Sequence, residues 1–481
     1  MESNGQTASF FESVSKAANA IREAVKEDYY IYVFSHLDAD GIAAAGIIGK
    51  TLYRLNARFR IRITQWVDEK IVNEIVEEKP QMVVFADLGS DHAFLLRQKA
   101  PEIKIVVLDH HQTGGGVGDF PLVNPHICGI DGSRDISSSG IAYFVAKDID
   151  GANVDLAPIA VIGALGDLQD KYDQRRLGGL NERIVEDAKS QGLLTVEKDL
   201  IFFGRETRPI HKALASTTNP FIPGISGEEG KSFAFLDSLG IKTKVEDKWR
   251  ALRDLTEDEK RKLCSALANY LVSKGLHYQV SNLIGYVYTL IQEDSWTPLR
   301  DAREFAVLLN AAGRMDKPGV GIAICMGDRG AALEEANKVL EEYRRTINKY
   351  LGWIMEKPER LKELENIYVV YGEDYIDDKI VGAVSSILST SLPNLEKPLI
   401  ACANVKEEGL VKVSARTVDS VVAKGVNLGE IMQVAAEKCL GKGGGHDVAA
   451  GAQIPIESLE IFVKLVNELV GKRLAGEKIG S

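Results

Sequence analysis

Short apolar runs that each stop at an acid constrain this chain more than any other feature of it. Tyr29–Phe34 leads into Ser35-His36-Leu37-Asp38-Ala39-Asp40-Gly41, Met82–Ala86 stops at Asp87, and Ile103–Leu108 stops at Asp109-His110-His111. Runs of Val, Ile and Phe without polar alternation read as strands covered on both faces, which is the setting of a parallel sheet. Helix-prone Ile42–Leu55 separates the first run from Arg58–Val67, which alternates like a strand. This rhythm predicts an α/β fold with a doubly wound parallel sheet and functional residues at the carboxyl ends of its strands. A further acid, Asp167, closes the small-residue stretch Gly163–Gly166.

His36, Asp38 and Asp40 are spaced two apart, so an extended backbone would put all three side chains on one side. Gly41 would then let the chain turn into a helix. An imidazole crowded against two carboxylates calls for a cation, and mixed nitrogen and oxygen donors suit manganese, with zinc or magnesium as competitors. One such segment is also compatible with an ordinary polar turn, where Asp is common. Its recurrence as triplet, lone Asp, Asp-His-His and final Asp points to a metal site.

The formal charge of −11 argues against indiscriminate electrostatic binding of nucleic acid. It does not exclude a nuclease, because metal-binding carboxylates are counted while their cations are not. Basic clusters at Arg205–Arg208–His211–Lys212 and Lys242–Lys244–Lys248–Arg250 fit either a nucleic-acid contact or a solvated face. No apolar run reaches spanning length and Met1–Phe11 lacks an export signature, so no membrane association is expected. Five scattered cysteines form no CxxC pair, which predicts a reducing, cytoplasmic setting.

Three regions follow from pattern: 1–190 in strand-helix alternation, 191–352 more helical and charged, and 353–481 again α/β. In the middle region Asn219–Gly227 reads as a loop and Ala331–Tyr350 as a helix. In the last, Ile367–Tyr371, Pro398–Val405 and Leu410–Ala415 read as strands, with helices at Val381–Leu392, Leu428–Cys439 and Glu457–Leu474. That region holds Gly441-Lys442-Gly443-Gly444-Gly445-His446, a glycine-rich turn whose N–H groups can approach an anion, and Ser414-Ala415-Arg416 at a strand end.

Together these motifs resemble the DHH phosphoesterase superfamily, in its RecJ-like form with a DHHA1 domain. The resemblance implies a DHH domain at 1–190, a helical insertion at 191–352 and a substrate-binding DHHA1 domain at 353–481, with the active site in a cleft between the outer two. It implies two manganese ions, one held by His36, Asp38 and Asp87 and the other by Asp40, Asp87, His110 and Asp167, with Asp87 as the bridge. Four aspartates would supply about −4 against about +4 from the ions. Asp109 would orient an imidazole and His111 would touch the scissile phosphate. The phosphate grip would be Ser414, Arg416, Gly443, Gly444, Gly445 and His446. Arg314, in Asn310-Ala311-Ala312-Gly313-Arg314, is either a further phosphate contact or part of a turn. Ser138-Ser139-Gly140 is a helix cap or a phosphate neighbour, His92 and His126 match no motif, and Gly204–His211 has no counterpart. Length, insertion and motif wording most resemble the archaeal RecJ-like proteins, including the GINS-associated nuclease. The resemblance therefore implies a 5′-to-3′ exonuclease on single-stranded DNA, with RNA second, linked to replication through the GINS complex. The alternatives are a 3′-to-5′ or RNA-directed enzyme, a phosphodiesterase for short oligoribonucleotides or cyclic dinucleotides, and a replication scaffold.

Overall fold

The computed structural model describes residues 2–90, 92–113, 119–217, 220–405 and 408–477. The chain separates into two compact units, Met1–Leu340 and Glu341–Ser481.

The first unit is built on strands β1 (Tyr30–His36), β2 (Arg58–Thr64), β3 (Met82–Ala86), β4 (Lys104–Leu108) and β5 (Leu122–Val123). Among the described residues they form one parallel sheet in the order β2-β1-β3-β4-β5, with Val33 opposite Ile61 and Val84, and Phe85 opposite Val107. All five residues of β3 are buried, as the unbroken apolar run predicts. The chain winds outward from β1 to β2 and then returns to β3, so the strand order reverses between β1 and β3. In doubly wound sheets, ligands bind outside the carboxyl ends of the strands at such a point.

Helices α1 (Glu2–Lys26), α2 (Ala39–Arg54), α3 (Glu69–Glu78), α4 (Ala93–Lys99), α5 (Ser138–Ile149), α6 (Ala157–Gly166) and α7 (Gly179–Ser190) cover the sheet and one another. The sequence pattern did not reveal α1. Its buried stripe of Phe10, Val14, Ala17, Ala18 and Ile21 is diluted by alanines and packs against α5 and the β4–β5 side of the sheet, with Phe10 and Phe11 meeting Phe144 edge-on.

The middle region is helical as expected, but it also contains a long antiparallel ribbon. Strand β6 (Leu194–Leu200) pairs with β9 (Ile284–Leu290), some ninety residues later in the chain. Between them lie α8 (Ile210–Ala215), α9 (Glu229–Ser238), the hairpin β7 (Lys244–Val245) and β8 (Lys248–Trp249), and α10 (Glu257–Ser273), around a core that includes Phe202, Leu214, Leu252 and Leu267. Residues 223–227 form turns, whereas Asn219 lies outside the described residues. The chain then returns through α11 (Ala302–Arg314) and α12 (Pro318–Cys325), which pack on α2 and α6, and continues into α13 (Ala331–Glu356).

The second unit holds a mixed sheet of β10 (Leu361–Glu363), β11 (Tyr368–Tyr371), β12 (Leu399–Val405), β13 (Leu410–Arg416), β14 (Lys442–Gly445) and β15 (Ala449–Pro455). Its order is β10-β11-β12-β13-β15-β14, with only β11 and β12 parallel among the described pairs. Helices α14 (Val381–Leu388), α15 (Asp419–Val422), α16 (Leu428–Lys438) and α17 (Leu459–Leu474) belong to it, and its core joins Ile400, Val413, Met432 and Phe462. The expected glycine-rich turn is therefore corrected: Lys442–Gly445 is an edge strand paired with β15, and glycines obscure a strand because they offer no side-chain pattern.

Candidate metal centre

The expected triplet does not run along one extended strand. Only His36 belongs to the strand; Asp38 is already the cap of α2 and accepts the Gly41 N–H at 3.0 Å, and Asp40 sits in that helix's first turn. The three side chains therefore do not line one edge, because the strand ends at His36, four residues earlier than an extended reading requires. Gly41 matters for space rather than backbone freedom, since a Cβ there would run into the His36 carbonyl.

His36 and Asp38 turn toward the end of β3. His36 Nδ1 lies 3.0 Å from Asp38 Oδ2 and 3.6 Å from Asp87 Oδ2. Asp40 faces the other way, into the amino end of α5. Its two oxygens accept the Ser138 and Ser139 N–H groups at 2.7 and 3.1 Å, where the helix dipole favours an anion. The cap of α5 is Ser137, one residue before the expected Ser138-Ser139-Gly140, and it accepts the Gly140 N–H.

Asp87 adopts a left-handed backbone, with φ of +61° and 2% of its surface exposed. Asp tolerates that region better than most residues, yet a buried one held there costs energy and marks a functional position. His110 Nε2 approaches Asp87 Oδ1 at 3.4 Å and His111 Nδ1 approaches it at 3.9 Å. Neither Asp87 oxygen accepts a hydrogen bond among the described residues. His110 Nδ1 donates to the Gly132 carbonyl at 2.7 Å and lies 3.7 Å from Asp167 Oδ2. With that nitrogen donating, neutral His110 presents a lone pair at Nε2 toward a carboxylate, an arrangement that needs a proton or a metal cation. Asp109 is also buried. Its Oδ1 holds His111 Nδ1 at 2.8 Å, and its Oδ2 accepts the Ser90 N–H.

Titration directions express the same crowding. Burial opposes charge on His36, but Asp38 and Asp87 hold its imidazolium up to about 10. Burial likewise opposes the His110 imidazolium, yet Asp167, Asp87 and Asp40 raise it well above the usual range. Burial, then the charges of Asp87 and Asp167, push Asp40 up to about 7. Burial raises Asp167 as well. Burial opposes ionised Asp38 too, but His36 and, more weakly, Arg314 at the end of α11 keep it below the ordinary carboxylate range. Protons thus offset charge where a divalent cation would do so more fully.

Two triads with donor atoms within 4.8 Å of one another emerge among the described residues, His36–Asp38–Asp87 and Asp87–His110–His111. Both contain Asp87. Asp40 and Asp167 flank them without joining either. The donor set, the unbonded Asp87 oxygens and the acid excess fit divalent metal. Several supporting residues escaped the sequence reading. Ser35 Oγ lies 2.7 and 2.9 Å from the Gly41 and Ala86 carbonyls, and Gln169 Nε2 donates to Asp167 Oδ2 at 2.9 Å. Asn181 in turn donates to Gln169. Isolated Ser, Asn and Gln carry no pattern that could have singled them out.

In the second unit, Ser414 Oγ is buried 2.8 Å from Ser385 Oγ, and Arg416 at the end of β13 donates to the Ala415 carbonyl. A Cβ at Gly443 would strike the Met432 carbonyl of α16, and Gly445 has φ of +134°. Only Gly444 of the three has open space beside it. His446 follows directly, its N–H bonded to the Ala449 carbonyl at 2.8 Å.

A doubly wound sheet with this cluster at its strand ends has the donor set of a divalent-metal site. Family models match residues 30–165 as the DHH family N-terminal domain, 202–284 as a DHH-CID domain and 365–472 as a DHHA1 domain. The chain belongs to the DHH phosphoesterase superfamily and is RecJ-like. An uncharacterized protein of Methanocaldococcus jannaschii is 32% identical over 96% of this chain and 98% of its own length. The single-stranded-DNA-specific exonuclease RecJ of Bacillus subtilis is 24% identical over 34% of this chain, a match that spans 22% of that enzyme. RecJ from Thermus thermophilus in complex with Mn2+ shares the fold over 96% of this chain and 55% of that one, with a TM-score of 0.59 and 16% identity. CDC45 from Entamoeba histolytica shares it over 96% and 99%, with a TM-score of 0.62 and 13% identity. No described helix is long and apolar enough to cross a membrane.

Proposed function

We propose that the chain is a divalent-metal-dependent exonuclease that removes nucleotides from single-stranded DNA in the 5′-to-3′ direction, in the cytoplasm. The observation that carries this reading is Asp87, a buried carboxylate with no hydrogen bond on either oxygen among the described residues and three imidazoles within 3.9 Å. His36, Asp38, Asp40, Asp87, His110 and Asp167 would hold two metal ions, manganese first, with magnesium or zinc as substitutes. When bound, such ions supply an activated water and neutralise charge developing on the phosphoryl group. His111 is the outermost imidazole, with 48% of its side chain exposed, so it can donate to a phosphate oxygen while Asp109 fixes its ring. Arg416, Gly444 and His446 would bind substrate phosphates in the second unit, with Arg314 a further contact beside Asp38. The preference for single-stranded DNA is supported by the likeness to RecJ of Bacillus subtilis, and 5′ polarity by resemblance to the RecJ-like family. A link to the GINS complex rests on resemblance to the archaeal RecJ-like proteins alone.

End-labelled DNA and RNA oligonucleotides of several lengths, incubated with manganese or magnesium, test the reading. Single-stranded DNA of a few tens of nucleotides should shorten from its 5′ end to mononucleotides, while blunt duplex resists because each base pair must first be opened. Loss of only dinucleotides to pentanucleotides, or of cyclic dinucleotides, would replace it with a small-substrate phosphodiesterase. Release from the 3′ end or selective loss of RNA would overturn the polarity or the substrate.

A further inference from the structure

We infer that helix α11 is a strut for the metal-holding loop and that Asn310 is its positioning residue, an inference that rests on the metal reading above. Ala306, Asn310 and Gly313 are spaced four and three apart, so they share one helical face. That face meets the loop between His36 and Asp40. The Ala39 N–H donates to Asn310 Oδ1 at 3.0 Å, across 271 positions of sequence. Ala39 is the first residue of α2, and the first N–H groups of a helix have no partner within it. Asp38 satisfies the Gly41 N–H. Asn310 satisfies that of Ala39, which is wholly buried and sits between the two carboxylates Asp38 and Asp40.

The same face admits no bulk. A Cβ at Gly313 would occupy the position of the Leu37 carbonyl, and one at Gly166, at the end of α6, would meet Ala39 and approach Ala306. The loop backbone is thus gripped at Leu37 and at Ala39. The far end of α11 is tied down as well: Asp301 caps it, and Glu304 accepts the Glu206 N–H at 3.0 Å and the Thr207 hydroxyl. The Gly204–His211 segment, unmatched in the sequence reading, is therefore an anchor for the strut. Without the Asn310 oxygen, the orphaned Ala39 N–H would compete for the Asp38 carboxylate, drawing a metal ligand out of place.

Mn2+ is titrated calorimetrically into the full chain without nucleic acid, and thermal unfolding of the metal-free protein is recorded alongside. Asn310→Leu, which keeps the branching at Cγ and removes the acceptor, should weaken Mn2+ binding about tenfold, the lower end of what outer-shell substitutions cost. Its kcat at saturating metal should fall with KM unchanged. Asn310→Asp, which keeps the accepting oxygen, should bind Mn2+ within about twofold of wild type. Were Asn310→Leu to unfold the metal-free chain, Asn310→Ala takes its place under the same criterion. Equal Mn2+ affinity in wild type and the acceptor-free variant overturns the inference, as does an equal loss in Asn310→Asp. A wild-type chain that binds no Mn2+ overturns the metal reading itself, and this inference with it.

Discussion

Replacing Asp87 with Asn changes one charge and almost nothing else. Asn adopts the left-handed region as readily as Asp, so the φ of +61° survives the substitution, and the volume is nearly the same. In the metal-free protein two effects oppose each other. His36 and His110 lie 3.6 and 3.4 Å from the carboxylate, and at an effective dielectric of about 20 each charged pair contributes roughly 5 kcal/mol of attraction. Against this stand the repulsion from the flanking Asp40 and Asp167 and the cost of burying an ion. The melting temperature should therefore shift by only a few degrees. Metal binding has no such offset, because Asp87 belongs to both triads and its loss weakens both at once. Hydrolysis of a single-stranded oligonucleotide should fall by at least about a thousandfold, equivalent to roughly 4 kcal/mol of transition-state stabilisation. The assay is single-turnover cleavage at saturating manganese, with circular dichroism as the control for folding. Activity within about tenfold of wild type in a normally folded Asp87→Asn protein would refute the assignment of Asp87 to the centre.

Manganese should support faster turnover than magnesium at equal concentration and calcium should support none, because imidazole nitrogens suit the softer ion; EDTA-resistant cleavage would contradict this. Arg416→Ala and His446→Ala should raise KM on a single-stranded oligonucleotide with Mn2+ affinity unchanged, each lost charged hydrogen bond costing about 1.5–3 kcal/mol. Unaltered KM in both places the phosphate elsewhere. Buried Glu304 predicts a pH effect on stability. Burial, then the charge of Asp301, push it up to about 7, so between its ordinary value and 7 the folded chain binds a proton that the unfolded chain does not. Its contribution therefore falls as pH rises through that window. Glu304→Gln should raise the melting temperature relative to wild type at pH 8 and lose that advantage near pH 4; an equal difference at both values would show that Glu304 does not titrate there.

How much of this was legible in the residues themselves depended on the range of the interaction involved. Met82–Ala86 reads as a buried strand because both faces of a parallel sheet select apolar side chains, and the structure has the strand over the same residues. The acids stand out for a related reason: in a wound sheet the chain leaves each strand at its carboxyl end, so Asp87 and Asp109 are marked by where the apolar run stops. Position along a strand is local information. Orientation is not. Asp40 looks like a third partner of His36 and Asp38, yet it is drawn to the amino end of α5, whose N–H groups come from nearly a hundred residues further on. The β6–β9 ribbon and the bond from Ala39 to Asn310 are likewise contacts between segments whose sequences carry no trace of each other. Of the three glycines before His446, sequence treats all alike; packing against α16 accounts for Gly443, backbone geometry for Gly445, and only Gly444 is left with room for a ligand. The sequence by itself determined the buried strands β1, β3 and β4, helix α2 and the acids that follow the strands, because burial and backbone period act over a few residues. Only the tertiary structure decided which oxygens face one another, because that depends on helix ends and turns brought together from distant parts of the chain.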